Sequence, residues 1–241
     1  MDVRIGGTHF PLETLGPGRR LGVWFQGCSL ACAGCMSRHT WNARGGTRVS
    51  VPALLELWGE ALEKGAEGLT VSGGEPLQQP DALAGLLAGA AGLRDEAAGL
   101  RDGAEGLRDG AEGASTAGGT DGADLLVYTG YEPEELTEGQ KAALRHTDAV
   151  ITGRFRVAEP TGLVWRGSAN QRIRPRTPRG VARYAPHQER ESTGARLQAV
   201  VDTGAAVGLR LYGVPLRGEL AQLERRSKEA GVSLSDPSWR P

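Results

Sequence analysis

Apolar and polar positions follow two different rhythms along the first 90 residues. Residues 21–25 (LGVWF) and 68–72 (GLTVS) are short apolar runs followed by glycine, a pattern typical of buried strands. Between them, residues 50–65 place apolar side chains at every third or fourth position, and Ser50 can cap the helix that this spacing predicts. A second helix is predicted at 80–87. The resulting β-α-β-α order favours a parallel sheet.

Similar patterns return after residue 122. They predict, in order, a strand and turn at 124–131, a helix at 132–145, a strand at 148–153, two strands at 197–202 and 207–215, and a closing helix at 218–230. The last two strands are expected either to extend the sheet or to dock a partner. Together these elements predict an α/β fold.

Residues 91–121 break the pattern. The tetrapeptide GLRD recurs at Gly92, Gly99 and Gly106, so each seven-residue unit offers one leucine and at least one glycine. One apolar position per heptad cannot form a coiled-coil seam, and glycine disfavours helix by roughly 1 kcal/mol. We therefore expect a low-complexity flexible insert, while the alternative of a regular repeat array would need longer units.

The amino-acid composition of the chain excludes several classes of function. The chain has 241 residues, 39% of them hydrophobic, and a net charge of −1, so it can bury a sizeable core and offers no global electrostatic attraction to nucleic acid or to an anionic membrane. No apolar run approaches the roughly 18 residues of a membrane span, and the first residues lack a basic segment followed by an apolar one. A cytoplasmic location is predicted, with neither nucleic acid nor membrane as a partner.

All three cysteines lie within eight residues, with the spacing C-x3-C-x2-C: Cys28, Cys32 and Cys35. An odd, clustered set is a poor disulfide framework and indicates thiols used as ligands or nucleophiles in a reducing compartment. The intervening residues include Ala31, Ala33 and Gly34, which permit a tight loop. Three thiolates on a four-coordinate centre leave one position open for chemistry.

The spacing alone leaves three interpretations open. Zinc can complete its coordination with His39, three structural cysteines can be adjacent by accident, or the thiolates can hold a 4Fe-4S cluster with one iron lacking a protein ligand. A zinc site would suit a non-catalytic adaptor that docks through the arginine-rich stretch 154–183.

Residues 16–41 (GPGRRLGVWFQGCSLACAGCMSRHTW) resemble the radical S-adenosylmethionine superfamily. Within it, the similarity is to the activating enzymes of glycyl-radical enzymes, above all those of anaerobic ribonucleoside-triphosphate reductases. The resemblance implies that Cys28, Cys32 and Cys35 bind three irons of a 4Fe-4S cluster and that S-adenosylmethionine chelates the fourth. Reductive cleavage of this cofactor then gives methionine and a 5′-deoxyadenosyl radical.

The segment SGGEP at 72–76 follows a predicted strand and resembles the GGE motif of this superfamily. On that resemblance, Gly73, Gly74 and Glu75, with the adjacent Ser72, are expected to bind the methionyl amino group. By itself the segment is equally consistent with an ordinary turn. A zinc module has no reason to carry it, which favours the iron-sulfur interpretation.

Two later segments, YTGY at 128–131 and WRGSANQRI at 165–173, also resemble activating-enzyme motifs. They nominate Thr129, Ser168 and Asn170 as cofactor contacts, with plain turn-capping as the alternative for each.

Arg19, in the GPGRR motif, is a candidate partner for a cofactor carboxylate or simply a surface arginine. The family often has an aromatic residue beside the third cysteine, whereas here Gly34 and Met36 flank Cys35. Both are expected to contact the cofactor, with the Met36 thioether packed on adenine.

The resemblance implies an incomplete parallel β/α barrel of the radical S-adenosylmethionine type, built from residues 1–90 and 122–175. The insert, 91–121, and a C-terminal extension, 176–241, depart from the compact family pattern. The cluster is expected at the carboxyl-end rim of the strands.

The implied function is hydrogen abstraction from a glycine Cα of a partner glycyl-radical enzyme, with electrons from a reductant such as flavodoxin or ferredoxin. The alternatives are a radical enzyme that modifies a peptide or small metabolite and, from a different class, the zinc-binding adaptor. No residue of this chain is assigned a catalytic role of its own.

Overall fold

A seven-stranded mixed sheet forms the centre of the molecule in this computed structural model, which describes residues 1–105, 122–202 and 208–234. Its strands are β1 (Asp2–Leu12), β2 (Arg20–Phe25), β3 (Thr47–Ser50), β4 (Gly68–Gly73), β5 (Asp124–Tyr128), β6 (Ala149–Thr152) and β7 (Arg172–Pro175). Their spatial order is β3-β1-β2-β4-β5-β6-β7. The four central strands β2, β4, β5 and β6 are parallel, and β1, β3 and β7 pair antiparallel at the two sides. The prediction of an α/β fold with a mostly parallel sheet is confirmed.

Helices cover one face of this sheet. These helices are α1 (Val51–Glu63), α2 (Pro80–Glu105) and α3 (Glu138–Ala143). Two further helices, α4 (Pro178–Tyr184) and α5 (Glu219–Glu229), follow in the C-terminal part of the chain. Ser50 caps α1 as expected, accepting a hydrogen bond from the Ala53 amide at 3.2 Å. The fully buried Trp58 packs in this core and donates its indole N–H to the Ala90 carbonyl at 3.1 Å. Parallel strands joined by helices align their carboxyl ends at one edge, where the motif loops begin.

The opposite face of the sheet carries a second, smaller apolar cluster. It consists of Leu126, Ala149, Ile151, Ile173 and Tyr184, with Tyr128 and Trp165 packed against it. Because Tyr184 ends α4, the beginning of the C-terminal extension contributes directly to this cluster.

Helix α2 differs from its predicted length. It does not end at residue 87 but continues to Glu105, into the predicted insert. Ala90 and Ala91 are buried in the core, and the buried Arg94, from the first GLRD unit, forms an ion pair with Asp148 at 2.9 Å. The contacts of α2 with the rest of the protein therefore stabilise the helix by more than its glycines destabilise it. The rest of the predicted insert, 106–121, lies outside the described residues.

Other elements were predicted only in part or not at all. The single helix expected at 132–145 is a 3₁₀ turn followed by the short α3. Strands β1, β3 and β7 and helix α4 were not predicted, because polar residues and glycines interrupt their apolar pattern.

The strands expected at 197–202 and 207–215 form a separate antiparallel hairpin, β8 (Leu197–Asp202) and β9 (Gly208–Gly213), and do not extend the main sheet. The loose tail predicted after Asp236 lies outside the described residues. Among the described residues, no helix is long and apolar enough to cross a membrane.

Candidate iron-sulfur and cofactor site

The three cysteines lie in a closed loop that follows β2. The loop returns to its starting point through two main-chain hydrogen bonds, from the Gly27 amide to the Thr40 carbonyl at 2.7 Å and from the Cys28 amide to the Trp41 carbonyl at 3.0 Å. The buried Gln26 supports the return segment by donating its side-chain amide to the carbonyls of His39 (3.2 Å) and Asn42 (2.8 Å). The loop is therefore fixed at its base, at the carboxyl end of a central strand.

Burial raises the pKa of each of the three thiols above the ordinary value. Hydrogen bonds to the sulfurs oppose this effect, from the main chain of Leu30 and Ala31 at Cys28, from the main chain of Phe155 at Cys32, and from the Ser37 main chain and the Trp41 side chain at Cys35. All three thiols are free and half-buried. Such N–H groups stabilise thiolate in the same way as they do around iron-sulfur clusters.

The donor set fits an iron-sulfur cluster chemically, because it offers three soft ligands with N–H donors around them. Within residues 1–105, 122–202 and 208–234, no three Cys, His, Asp or Glu side chains converge closely enough to hold a single metal ion. Ala31 (φ +47°) and Gly34 (φ +75°) both adopt left-handed backbone conformations that fold the loop tightly.

Gly73 and Gly74 bring the end of β4 against the start of the cysteine loop. A Cβ on Gly74 would lie 2.3 Å from the Gly27 carbonyl oxygen, so a side chain cannot be accommodated there. The same approach allows the Glu75 amide to donate to the Gly27 carbonyl at 2.8 Å. These glycines therefore have a packing role, and their predicted contact with the cofactor stays a prediction.

The Glu75 carboxylate is buried and accepts three hydrogen bonds from within the protein. It accepts hydrogen bonds from the Leu77 amide (3.0 Å), the Thr129 hydroxyl (2.9 Å) and the Gly130 amide (2.8 Å). Burial outweighs these contacts and raises the pKa of Glu75 to about 7. Glu75 and Thr129, both nominated as cofactor contacts, thus bind each other, and the pair joins the β4 loop to the YTGY turn.

Gln78 links the same turn to the cysteine loop. Its side-chain amide donates to the Ser29 hydroxyl at 2.7 Å and to the Tyr131 hydroxyl at 3.2 Å, while its oxygen accepts from the Ser29 amide at 3.2 Å. Neither Gln78 nor Gln26 was predicted from the sequence as part of the site. In the sequence, the only feature that points to these two glutamines is their position beside a glycine or cysteine motif.

The remaining nominated contacts support the segment next to Cys32. Ser168 is buried and its hydroxyl accepts from the Arg156 amide at 3.1 Å, while the Asn170 side-chain amide donates to the Arg154 carbonyl at 2.9 Å. Asn170 Oδ1 is buried without a hydrogen-bond partner in the structure. A buried acceptor of this kind requires a donor, and a ligand hydroxyl or amino group would supply one.

Ser72 and Met36 both lie near the cysteine loop, and their predicted contacts with the cofactor stay predictions. Ser72 is half-buried near the carboxyl end of β4 and pairs in register with Trp24 of β2. Met36 is half-buried in the cysteine loop.

Arg19 does not lie at the site. It is exposed before the amino end of β2, and its guanidinium lies 5.3 Å from the centre of the Phe10 ring, so the interpretation as a surface arginine is the correct one.

Comparison with known proteins shows the class of protein to which this chain belongs. Residues 14–94 and 115–174, more than half of the chain, match the family model described as a 4Fe-4S single cluster domain. The chain is 30% identical over 172 residues to the anaerobic ribonucleoside-triphosphate reductase-activating protein of Haemophilus influenzae, covering 68% of this chain and 94% of that protein. It therefore belongs to the radical S-adenosylmethionine activating enzymes, in the family of these activating proteins.

The protein of the same name from Enterobacteria phage T4 is 29% identical over 160 residues, covering 66% of this chain and 85% of its own length. Among solved structures, QueE from Escherichia coli aligns with a TM-score of 0.37 and 18% identity, covering 66% of this chain and 74% of QueE. That structural similarity is too low to support an argument.

Proposed function

We propose that this protein activates a glycyl-radical enzyme of the anaerobic ribonucleotide reductase type, with one 4Fe-4S cluster bound through Cys28, Cys32 and Cys35. The observation that carries the proposal is the direct bonding between motif loops. The cysteine loop contacts the Gly73–Gly74 turn through Gly27, and Glu75 connects that turn to Thr129. When bound, the cluster and S-adenosylmethionine supply the radical that removes a hydrogen from glycine.

The chain's own residues orient the cofactor and exclude water. Asn170 Oδ1 offers a buried acceptor to a ribose hydroxyl or an amino group, and the half-buried Ser72 and Met36 provide a polar and an apolar contact respectively. Glu75 holds the surrounding main chain in place through Thr129 and Gly130, and its Oε2, which accepts only from the Gly130 amide, keeps the capacity to accept one further hydrogen bond from the methionyl amino group.

We also propose a barrel architecture and a reducing, cytoplasmic environment for this protein. Four parallel strands with motif loops after their carboxyl ends support an incomplete β/α barrel. Free thiols suit a reducing, cytoplasmic setting, and a protein reductant such as flavodoxin or ferredoxin would supply the electron. The net charge of −1 gives no reason to add nucleic acid or membrane as a partner.

Anaerobic reconstitution with iron and sulfide tests the cluster directly. We expect about four irons and four sulfides per chain and an electron paramagnetic resonance spectrum of the reduced cluster that changes when S-adenosylmethionine is added. Cys32→Ala should abolish this change, and His39→Ala should leave it intact. Bound zinc without sulfide, lost in His39→Ala, would support the adaptor interpretation instead.

Co-expression with a candidate glycyl-radical enzyme tests the partner. A doublet-type glycyl radical signal that requires S-adenosylmethionine is the expected result. The C-terminal extension beyond residue 174, where the family match ends, favours one second candidate: a radical enzyme acting on a peptide or small metabolite. Cofactor cleavage without a radical on any candidate enzyme would favour that second function.

A further inference from the structure

Arg196 forms an unusually complete set of main-chain contacts just before β8. Its guanidinium donates to the carbonyls of Gly162 (2.9 Å), Leu163 (3.1 Å), Arg166 (3.0 Å) and Val214 (2.9 Å). Four carbonyls from two separate segments thus converge on one side chain. Arginine suits this role because its planar fork carries five N–H donors, whereas lysine offers a single ammonium.

Three of these carbonyls belong to the loop that leads into the WRGSANQ motif. The extension holds the same loop at further points, since the Ser192 amide donates to the Gly162 carbonyl at 2.9 Å and the Val164 amide donates to the Arg190 carbonyl at 3.0 Å. Val214 also lies against Gly167, where an added Cβ would be 3.3 Å from a Val214 methyl. The loop is thus fastened to the extension along its length.

This loop in turn holds the segment 153–156. The side chains of Ser168, Asn170 and Gln171 bind the main chain of Arg156, Arg154 and Gly153, at 3.1, 2.9 and 3.1 Å. Phe155 in that segment packs against Gly167, and a Cβ on Gly34 of the cysteine loop would lie 3.4 Å from its ring. A continuous series of contacts therefore runs from Arg196 to the cysteine loop.

We propose that Arg196 is a positioning residue for the candidate site, through which the C-terminal extension holds loop 162–171 and the segment beside Cys32. Cofactor binding then depends on a side chain that lies outside the matched family region, residues 14–94 and 115–174. The inference rests on the proposed function, because it assumes that Asn170 and the cysteine loop meet the cofactor.

The test compares Arg196→Lys with Arg20→Lys in the full, reconstituted chain. Arg20 likewise forms several hydrogen bonds, at 2.6 Å to the Thr70 hydroxyl and 2.8 Å to Asp124, and is fully buried where Arg196 is half-buried, but it lies at the amino end of β2, far along the sheet from the cysteine loop. We expect Arg196→Lys to increase amide hydrogen exchange at 153–171 about tenfold and to weaken S-adenosylmethionine binding about tenfold, at unchanged iron content. Arg20→Lys should lower the melting temperature without either change.

Gln171→Ala provides a second variant if Arg196→Lys folds poorly. It removes the bond to the Gly153 carbonyl and those from the Gly167 and Ser168 amides, and it should increase exchange at 153–157 and at 167–168 while residues 162–166 stay protected. The inference is wrong if exchange in Arg196→Lys rises only at 190–215, or if cofactor affinity stays within twofold of the wild-type value. Failure of the wild-type chain to assemble a cluster would contradict the proposed function instead, and the exchange measurement would still decide whether Arg196 holds segment 153–156.

Discussion

At the residue scale, Glu75 connects two motif loops that are 54 residues apart in the chain. Its carboxylate binds the Thr129 hydroxyl and the Gly130 amide, and its main chain binds Gly27. The motif that carries Glu75 could be found from the sequence, but these partners could not, because Thr129 and Gly130 reach it only through the pairing of β4 with β5. The burial of Glu75, a predicted cofactor ligand, is thus explained by its contacts within the fold.

The raised pKa of Glu75, about 7, predicts a pH dependence of the cofactor-free protein. The folded state binds this proton more tightly than the unfolded chain, so the stabilisation is complete below about pH 4.5 and is lost as the pH rises to about 7. The full effect is on the order of 3 kcal/mol. Urea unfolding of wild type and Glu75→Gln between pH 4.5 and 8 should give a difference that changes in this range. A constant difference would contradict the raised pKa.

Trp41 predicts an effect on the redox properties of the cluster. A donor interaction from its side chain lowers the pKa of the Cys35 thiol, and the Arg38 guanidinium lies 5.2 Å from the centre of its ring. Donors to cluster sulfurs favour the reduced, more negative state. Trp41→Phe, which keeps the ring, should lower the reduction potential by up to about 60 mV, a tenfold change for one electron. A redox titration followed by electron paramagnetic resonance measures this, and an unchanged potential would refute it.

At the scale of elements, the loops that follow the parallel strands are positioned by close contacts between their main chains. Short apolar runs predicted β2, β4, β5 and β6, because a central strand that is buried on both faces is mostly apolar. The same reasoning missed β1, with its Gly6–Gly7 pair, and misplaced the end of α2, where Arg94 pairs with Asp148 across the fold. Long-range ion pairs leave no local pattern in a sequence.

Gly74→Ala should displace the cysteine loop. The added methyl would meet the Gly27 carbonyl at 2.3 Å, and because this contact is backbone, the two loops must separate. We expect a loss of stability of about 1–3 kcal/mol and reduced iron incorporation. Gly59→Ala in α1 is the matched control, since nothing lies within 4 Å of its Cβ, and it should stabilise the protein by about 0.5–1 kcal/mol. Thermal unfolding with iron analysis separates the two outcomes.

At the scale of the whole molecule, a buried ionic cluster joins distant parts of the chain at the amino end of the sheet. Asp124 accepts two hydrogen bonds from Arg20, at 2.8 and 2.9 Å, and a further one from Tyr184, and it pairs with Arg183 at 2.8 Å. Asp124 begins β5 and Tyr184 ends α4, so this cluster ties the C-terminal part to the sheet. The candidate site occupies the other end of the same strands.

Asp124→Asn should therefore destabilise the fold without altering the site. Removal of one partner from a buried ion pair leaves the Arg20 charge uncompensated and costs about 3–5 kcal/mol. The exposed pair Asp2–Arg48, also at 2.8 Å, provides the control, and Asp2→Asn should cost less than about 1 kcal/mol. Denaturant unfolding measures both. Cofactor affinity of the folded fraction should match wild type, and weakened affinity in Asp124→Asn would mean that the two ends of the sheet are coupled.

The placement of α2 has a consequence for how this chain tolerates variation. The helix starts beside the motif loops at Pro80 and leads away from them, and the chain re-enters the sheet at Asp124, the amino end of β5. Sequence between the end of α2 at Glu105 and Asp124 can lengthen, shorten or diverge without approaching the chemistry, whereas the first part of α2 is held by core packing and by the Arg94–Asp148 pair. A fluorophore or an affinity tag introduced there would report on the enzyme while leaving its reactive end undisturbed.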